Sequence, residues 1–274
     1  MPELPEVETV RRGLSSICLG LTPNYIKFYR EDLRDPIPTE KVRSVLLGER
    51  ITGIERRSKY LIFHTAKGQV LSHLGMTGNY ITRNSCEPDL KHTHYVIGFE
   101  ENKELFVHYV DPRRFGRLGV GSQEPHQWLS QLGPEPLQLS AEELGEHLFD
   151  SSRKKVVPVK TFLMNASVVV GVGNIYACEA LFSSRISPQR KAGSISKARF
   201  LRLAANVQTI LHRAIEAGGS TIKDFKSANG QAGYFAAEFN VYGRTGKPCV
   251  TCGKTLSLIK QTGRSTWFCR NCQT

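Results

Sequence analysis

Four cysteines near the C-terminus have the type and spacing of a metal site. They form two pairs, Cys249 with Cys252 and Cys269 with Cys272, and 16 residues separate the pairs. Four thiolates in this arrangement bind one zinc ion, and because four protein ligands close its coordination shell, such an ion is structural. The alternatives are two disulfides or four free thiols. A reducing compartment and the paired spacing favour zinc.

The first eight residues, Met1 to Glu8, could carry a second kind of chemistry. Removal of Met1 would leave Pro2 as a free secondary amine with a pKa of about 7.7–8.0, so part of it would be neutral near pH 7. A neutral amine is a nucleophile that forms Schiff bases. Glu3 stands beside it as a candidate general acid and base. The alternative is that the prolines stiffen this segment and the glutamates cap a helix.

The charge balance indicates a polyanionic partner. The chain has 37 Lys and Arg against 25 Asp and Glu, a formal charge of +12. From Phe239 to Thr274 there are six basic residues and no acidic one. Among them, Arg264 lies in a predicted hairpin tip, from Thr262 to Thr266, that could present it to a groove. A solvated arginine on a turn is the alternative. Nucleic acid is the commonest polyanion for such a protein.

Length and composition exclude several classes of protein. The 274 residues suggest two domains, and a hydrophobic fraction of 40% is that of a globular protein. The sequence contains no apolar run of about 18 residues, so no membrane span is expected. Because Met1 to Glu8 contains three glutamates and no basic residue, no signal peptide is expected there. A cytoplasmic location follows as an expectation.

Hydrophobic periodicity divides the chain into a strand-rich half and a helical half. A helix is predicted from Glu6 to about Leu19, followed by short strands typical of a sandwich or barrel. The predicted strands are Tyr25 to Phe28, Tyr60 to Phe63, Val70 to Leu74, Tyr95 to Phe99 and Leu105 to Val110. A Gly/Pro segment, Leu132 to Leu137, marks a boundary. Beyond it we predict a capping box at Ser140 to Glu143, helices at Asn174 to Phe182 and Ser196 to Ala217, and ribbon strands at Leu256 to Lys260 and Thr266 to Phe268.

Several motifs then resemble one family, the bacterial formamidopyrimidine-DNA glycosylases. They occur in order from residue 2 to residue 272 and cover nearly the whole chain. They are PELPEVETVRR at the N-terminus, Lys59-Tyr60, Ser72 to Gly78, Asp111 to Gly116, Leu132 to Leu137, Val170 to Tyr176 and Val241 to Arg244, followed by the four cysteines. An N-terminal PELPE together with a C-terminal four-cysteine ribbon is a very specific combination.

The resemblance implies a bifunctional DNA repair enzyme that excises oxidised purines, chiefly 8-oxoguanine and formamidopyrimidines, and then nicks the abasic strand. The implied fold class is α+β multidomain. It comprises an N-terminal β-sandwich with a leading helix at 1–132, a linker at 133–148, a helix–two-turns–helix domain at 149–238 and a zinc ribbon at 239–274. DNA would lie in the cleft between domains. The implied molecule is a monomer with one structural zinc, no membrane association and a location at the bacterial nucleoid. The turn from Gly171 to Asn174 is too short for a nucleotide-binding fingerprint, so no nucleotide cofactor is expected.

Four residues match the catalytic groups of the family. Pro2 matches the Schiff-base nucleophile that attacks the sugar C1′. Glu3 matches the proton donor to the opening sugar. Lys59 matches the proton donor in β-elimination, and Arg264 matches the donor in δ-elimination.

Other residues match the family's DNA contacts. Met76, Arg113 and Phe115 match the wedge that fills the space left by an extruded nucleotide, although Met76 and Phe115 taken alone would more often be core residues. The residues that match contacts to the DNA backbone are His73, His92, Lys160, Asn174 and Tyr242. Ser220 to Tyr234 corresponds to a loop over the extruded purine.

The sequence departs from the family pattern after Arg153-Lys154-Lys155, where Val156 replaces a further basic residue. Lys155 is expected to take over that DNA contact. Two alternative functions remain open. One is the related endonuclease VIII branch, which removes oxidised pyrimidines, and the Met76, Arg113 and Phe115 set argues against it. The other is a zinc-ribbon protein that binds DNA without cutting it.

Overall fold

The computed structural model describes residues 2–88, 90–121, 127–219 and 239–274. Contacts group them into two compact units, divided between Ser130 and Gln131 and again between Glu216 and Ala217. The described residues from Phe239 onward belong to the second unit. The finer division into four segments, at 132, 148 and 238, stays a prediction.

The first unit holds two four-stranded antiparallel sheets and two helices. One sheet has the strand order β1-β6-β7-β5 and the other β2-β3-β4-β8. The elements are α1 (Leu4–Cys18), β1 (Pro23–Phe28), α2 (Thr39–Leu46), β2 (Gly53–Arg57), β3 (Tyr60–Thr65), β4 (Gly68–His73), β5 (Asn79–Arg83), β6 (Thr93–Phe99), β7 (Phe106–Val110) and β8 (Arg117–Gly121). The predicted β-sandwich with a leading helix is confirmed.

A single apolar cluster joins the two sheets to both helices of this unit. Val10 and Leu14 from α1 pack there with Leu61 of one sheet and Tyr95 of the other, and all four are buried. The apolar residues of α1 recur every three or four positions, so one face of the helix is covered by the sandwich. This burial fixes the helix, and with it the first residues of the chain, on the sandwich.

The helix α1 begins two residues earlier than predicted because of a capping box. The Glu3 side chain accepts the N–H of Glu6, and Glu6 accepts the N–H of Glu3 in return. This reciprocal pair satisfies amide groups that have no partner within the helix, so Leu4 and Pro5 can form its first turn. The start predicted at Glu6 is therefore wrong by half a turn.

The second unit consists of helices followed by a two-stranded ribbon. Its elements are α3 (Ala141–Ser152), α4 (Val159–Leu163), α5 (Asn174–Ser183), a short 3₁₀ turn (Ala192–Ser194), α6 (Lys197–Glu216), β9 (Ser257–Gln261) and β10 (Arg264–Phe268). The predicted capping box is confirmed, with the Glu143 N–H donated to the Ser140 hydroxyl at 3.1 Å. The helices predicted at Asn174 and Ser196 and both ribbon strands are confirmed to within a few residues.

Close packing of α3 against α6 holds the helical part together. A Cβ on Gly145 would lie 2.7 Å from the Leu201 backbone, so only glycine allows this approach. Leu144 and Leu148 of α3 and Phe200 of α6 are buried. Within the described part of the chain, no helix has the length and apolar character needed to cross a bilayer.

Candidate active site and nucleic-acid interface

Pro2 and Glu3 are buried at the N-terminus of α1. The Glu3 N–H donates to Glu6 Oε2 at 2.8 Å, and this amide is the one that links Pro2 to Glu3. Glu6 therefore fixes the Pro2 peptide through a buried hydrogen bond. The helix-capping and the nucleophile interpretations of this segment are compatible with each other. The capping box that starts the helix also holds the candidate nucleophile and its neighbouring carboxyl group in place.

Lys59 lies in the two-residue turn between β2 and β3, beside Ser58, whose φ is 58°. Arg56 holds this turn by donating to the Ser58 carbonyl at 3.0 Å, and it also donates to Glu8 of α1 at 3.2 Å. Burial raises the pKa of Glu8, but hydrogen bonds from Arg11 and the charges around it outweigh burial and lower it. Glu8 thus stays ionised and ties the Lys59 turn to α1, the helix that follows Pro2 and Glu3.

His73, at the end of β4, is a neutral ring in a positively charged setting. Its Nδ1 accepts the N–H of Gly75 at 3.0 Å, which leaves the ring proton on Nε2 as a donor. Burial, together with the positive charges of Lys59, Arg117 and Arg34, lowers the pKa of His73 to about 4. A neutral donor surrounded by cations suits contact with a phosphate.

This pKa predicts how stability depends on pH. Between the ordinary pKa of about 6.5 and the folded value of about 4, the unfolded chain binds a proton that the folded ring does not, so stability falls as pH falls. His73→Asn keeps an acceptor for Gly75 but removes the titration. From pH 7 to pH 5, we expect the wild-type free energy of unfolding to drop by about 1–2 kcal/mol more than that of the variant. Urea titrations measure both, and equal pH responses would contradict the assignment.

The three wedge candidates lie on two adjoining loops. Met76 is half-buried in residues 74–78, and Arg113 and Phe115 are exposed in residues 111–116. Phe115 is 42% exposed, and the Arg113 guanidinium lies 4.8 Å from its ring centre. An exposed phenylalanine stacked under an arginine is not a core residue, and it presents a flat apolar group to solvent. His92, also exposed, has a φ of 70°.

In the second unit, Lys160 of α4 meets the N-terminus of α5 and the ribbon. It is only 1% exposed, and its Nζ donates to Asn174 Oδ1 at 2.5 Å, Thr266 Oγ1 at 2.7 Å and the Ser265 carbonyl at 3.2 Å. These three acceptors are uncharged. Through these hydrogen bonds, Lys160 and Asn174 lie together, next to the strand that begins with Arg264.

Tyr242 is positioned by a carboxylate that the sequence analysis missed. Glu179 of α5 is buried and accepts backbone N–H groups from Asn240, Val241 and Tyr242 at 2.8–2.9 Å. The Tyr242 ring also packs on Trp267, with 4.4 Å between ring centres. Only the position of Glu179 on a helix with apolar neighbours hinted at this role.

Arg264 and Lys155 are both exposed. Arg264 is the first residue of β10 and follows the turn at Thr262-Gly263, where both φ angles are positive. The adjoining Val156 is 72% exposed, so an apolar side chain faces solvent where relatives are expected to carry a basic one. The loop predicted at Ser220 to Tyr234 lies outside the described residues. Pro2, Glu3, Lys59 and the wedge candidates belong to the first unit, and Lys160, Asn174, Tyr242 and Arg264 belong to the second.

The four C-terminal thiols form a cluster that fits zinc. Their sulfurs all lie within 4.8 Å of one another, with 3.9 Å between Cys249 and Cys272 and 3.6 Å between Cys252 and Cys269. A tetrahedron of sulfurs at about 2.3 Å from zinc has edges of about 3.8 Å. A disulfide requires about 2.05 Å, so the disulfide alternative is wrong. Bound there, zinc holds the two ribbon turns together.

Comparison with known proteins covers the whole chain. Residues 1–118 match the formamidopyrimidine-DNA glycosylase N-terminal domain, residues 132–226 its H2TH domain, and residues 246–274 a zinc finger found in FPG and IleRS. A formamidopyrimidine-DNA glycosylase of Pseudomonas savastanoi pv. phaseolicola is 47% identical over 275 residues, the full length of both chains.

Solved structures agree in fold. A Lactococcus lactis FPG mutant in complex with Fapy-dG-containing DNA superposes with a TM-score of 0.89 at 33% identity, over 99% of both chains. MutM in complex with DNA containing carbocyclic 8-oxo-G gives 0.87 at 35% identity, again over 99% of both chains. Since all three domains match in order and a relative is 47% identical from end to end, the chain belongs to the formamidopyrimidine-DNA glycosylase family.

Proposed function

We propose that the chain is a base-excision-repair enzyme that excises oxidised purines from duplex DNA and then cleaves the abasic strand. The observation that carries this proposal is the buried Pro2–Glu3 pair at the start of α1, in a chain of this family. The damaged DNA in the related complexes, with Fapy-dG in one and 8-oxo-G in the other, supports oxidised purines as the substrate class.

The proposed chemistry begins at the nitrogen of Pro2 after Met1 is removed. Its lone pair forms a bond to the sugar C1′, and the electrons of the glycosidic bond leave with the base. The Pro2 nitrogen gives up its proton to the departing base, and Glu3 supplies a proton to O4′ as the C1′–O4′ bond breaks, which leaves a cationic iminium between Pro2 and C1′.

The iminium then acts as an electron sink for strand cleavage. It acidifies the C2′ proton, whose removal expels the 3′ phosphate in β-elimination, with Lys59 as proton donor. A second, δ-elimination expels the 5′ phosphate, with Arg264 as the donor. The hydrogen bond from the Glu3 amide to Glu6 keeps the Pro2 peptide in one orientation through these steps.

The remaining residues would hold and open the duplex. A glycosylase must rotate its target nucleotide out of the stack, at a cost of a few kcal/mol. Met76 and Phe115 would fill the space, and Arg113 would bond to the base left without a partner. His73, His92, Lys155, Lys160, Asn174 and Tyr242 would bind phosphates and sugars.

One of these contacts is tested by the salt dependence of binding. For Lys160→Met, we expect weaker DNA binding and a plot of log K against log salt that is shallower by about 0.9, the slope of one lost phosphate contact. Lys41→Met, at an exposed lysine on α2, is the matched control and should leave the slope unchanged. Fluorescence anisotropy titrations from low to moderate salt measure both slopes. An unchanged slope for Lys160→Met would mean that its ammonium serves only the internal contacts with Asn174 and Thr266.

The proposed enzyme acts as a monomer in the cytoplasm, bound to the nucleoid through DNA, and needs no nucleotide cofactor. Its substrate class is tested with two duplexes that differ only in the lesion. We expect release of 8-oxoguanine to be much faster than release of thymine glycol. Preference for thymine glycol would favour the endonuclease VIII activity, and binding of both duplexes without release would favour a non-catalytic DNA-binding protein.

A further inference from the structure

Asp111 lies where three loops of the first unit meet. Its side chain is fully buried, and its backbone N–H donates to the His92 carbonyl at 3.1 Å. Its own carbonyl is 2.8 Å from His94 Nε2. Asp111 is the first residue of the Phe115 loop (residues 111–116), and the Met76 loop (residues 74–78) lies against it.

The Asp111 carboxylate receives hydrogen bonds from both of these loops. Oδ1 accepts the Thr77 hydroxyl of the Met76 loop at 2.5 Å and the Arg113 N–H of the Phe115 loop at 3.2 Å. Oδ2 accepts the Gly116 N–H at 2.8 Å. The Thr77 hydroxyl in turn accepts the Arg113 N–H at 3.2 Å, which closes a triangle between the loops.

Close backbone contact makes the junction tight. A Cβ on Gly75 would overlap the backbone of Phe115, and one on Gly116 would overlap the hydroxyl of Tyr109. The loops therefore touch directly, and the Tyr109 hydroxyl lies between Gly78 and Gly116. A junction packed this closely has little room for one loop to move without the other.

We propose that Asp111 is a positioning residue for base extrusion, joining the Met76 loop to the Phe115 loop so that Met76, Arg113 and Phe115 enter the duplex as one unit. The inference rests on the proposed function, in which those three side chains fill the space left by the nucleotide. Because unstacking costs a few kcal/mol, a wedge whose two halves move independently loses part of the contact that offsets this cost.

The chemistry of the junction requires a carboxylate. Two oxygens receive three donors, so Asn at this position must turn its amide nitrogen toward the donors of one loop. If the nitrogen faces Gly116, two donors oppose each other there, and if it faces Thr77 and Arg113, it opposes the Arg113 N–H and the Thr77 hydroxyl must rotate to accept. Asp111→Asn therefore keeps the shape of the side chain and weakens the connection, because at least one donor is left without an acceptor.

Thr77→Val tests the inference with less risk to folding, because it removes one hydroxyl at a half-exposed position. We expect single-turnover excision of 8-oxoguanine from duplex DNA to fall tenfold or more. Borohydride trapping on a single-stranded oligonucleotide with a preformed abasic site, which needs no extrusion from a duplex, should stay at the wild-type level. Asp111→Asn should lose more duplex excision than Thr77→Val while keeping single-strand trapping. Thr77→Ser, which keeps a hydroxyl, should excise at the wild-type level.

Thr65→Val is the matched control, because it removes a threonine hydroxyl that donates to the Val45 carbonyl at 2.9 Å elsewhere in the same unit. It should leave both readouts unchanged. Wild-type duplex excision by Thr77→Val would overturn the inference, as would a parallel loss of duplex excision and single-strand trapping. If Asp111→Asn does not fold, Thr77→Val decides alone. If the wild-type chain itself fails to trap, the proposed function is wrong and the inference falls with it.

Discussion

A chain with one uncleavable residue before Pro2 should bind damaged duplex DNA normally and excise nothing. The added residue turns the Pro2 nitrogen into an amide, which has no lone pair available for attack on C1′. We expect excision to fall by roughly 10³-fold or more, the scale on which loss of a covalent nucleophile acts, and the borohydride adduct to disappear. Single-turnover release of 8-oxoguanine and gel-shift affinity measure the two effects separately.

Pro2→Gly is the informative companion variant. It leaves a primary amine at the same position, so it should retain part of the trapping while losing much of the excision. Undiminished turnover by either variant would rule out Pro2 as the nucleophile.

The second large effect is expected from the zinc ligands. Cys249→Ala should lower the zinc content from one ion per chain to none and weaken binding to duplex DNA by about 10- to 100-fold, the effect of losing one to two phosphate contacts. The physical reason is that β9 and β10 have five residues each, too few for an isolated hairpin to be stable without the metal. The ribbon carries Arg264 and packs on Tyr242, so both lose their support.

Cys86→Ala is the matched control, since Cys86 lies in the first unit, far along the chain from the ribbon. It should keep both the metal and the affinity. Metal analysis after exhaustive chelation completes the test. A chelated protein that binds DNA as before would refute a structural role for zinc.

Local sequence patterns predicted the elements whose interacting residues are close together in the sequence. The ribbon cysteines form two closely spaced pairs, and the Ser140 capping box joins residues that are three positions apart. The apolar residues of α6 lie on one face of the helix. Strands β3, β4, β6 and β7 contain short runs of apolar residues that their buried positions explain. These signals do not depend on the rest of the chain.

Three strands, β2, β5 and β8, were missed, and two of them lack such signals. β2 has the sequence GIERR and buries only Ile54, and β8 has two glycines among five residues. Each occupies an outer position of its sheet, at opposite ends of the order β2-β3-β4-β8, so strand pairing outweighs its weak propensity. The short α2 and α4, of eight and five residues, were also missed, because few turns leave little periodicity to detect.

The sequence proposes the residues of the candidate site but not the residues that support them. Pro2, Glu3 and the four cysteines are recognisable because the chemistry is contained in adjacent or closely spaced residues. Asp111 and Glu179 were not predicted in their roles, because Thr77 lies 34 positions from Asp111, and the amides that Glu179 holds lie 61 to 63 positions from it. Only the folded backbone brings those donors to a buried carboxylate.

The most direct test of the account is to trap the purified protein on abasic-site DNA with borohydride and to map the modified peptide by mass spectrometry. The account predicts that the deoxyribose is attached to a peptide that begins at Pro2, with Met1 absent. An adduct on the Lys59 peptide, or full excision activity in protein that keeps Met1, would contradict it.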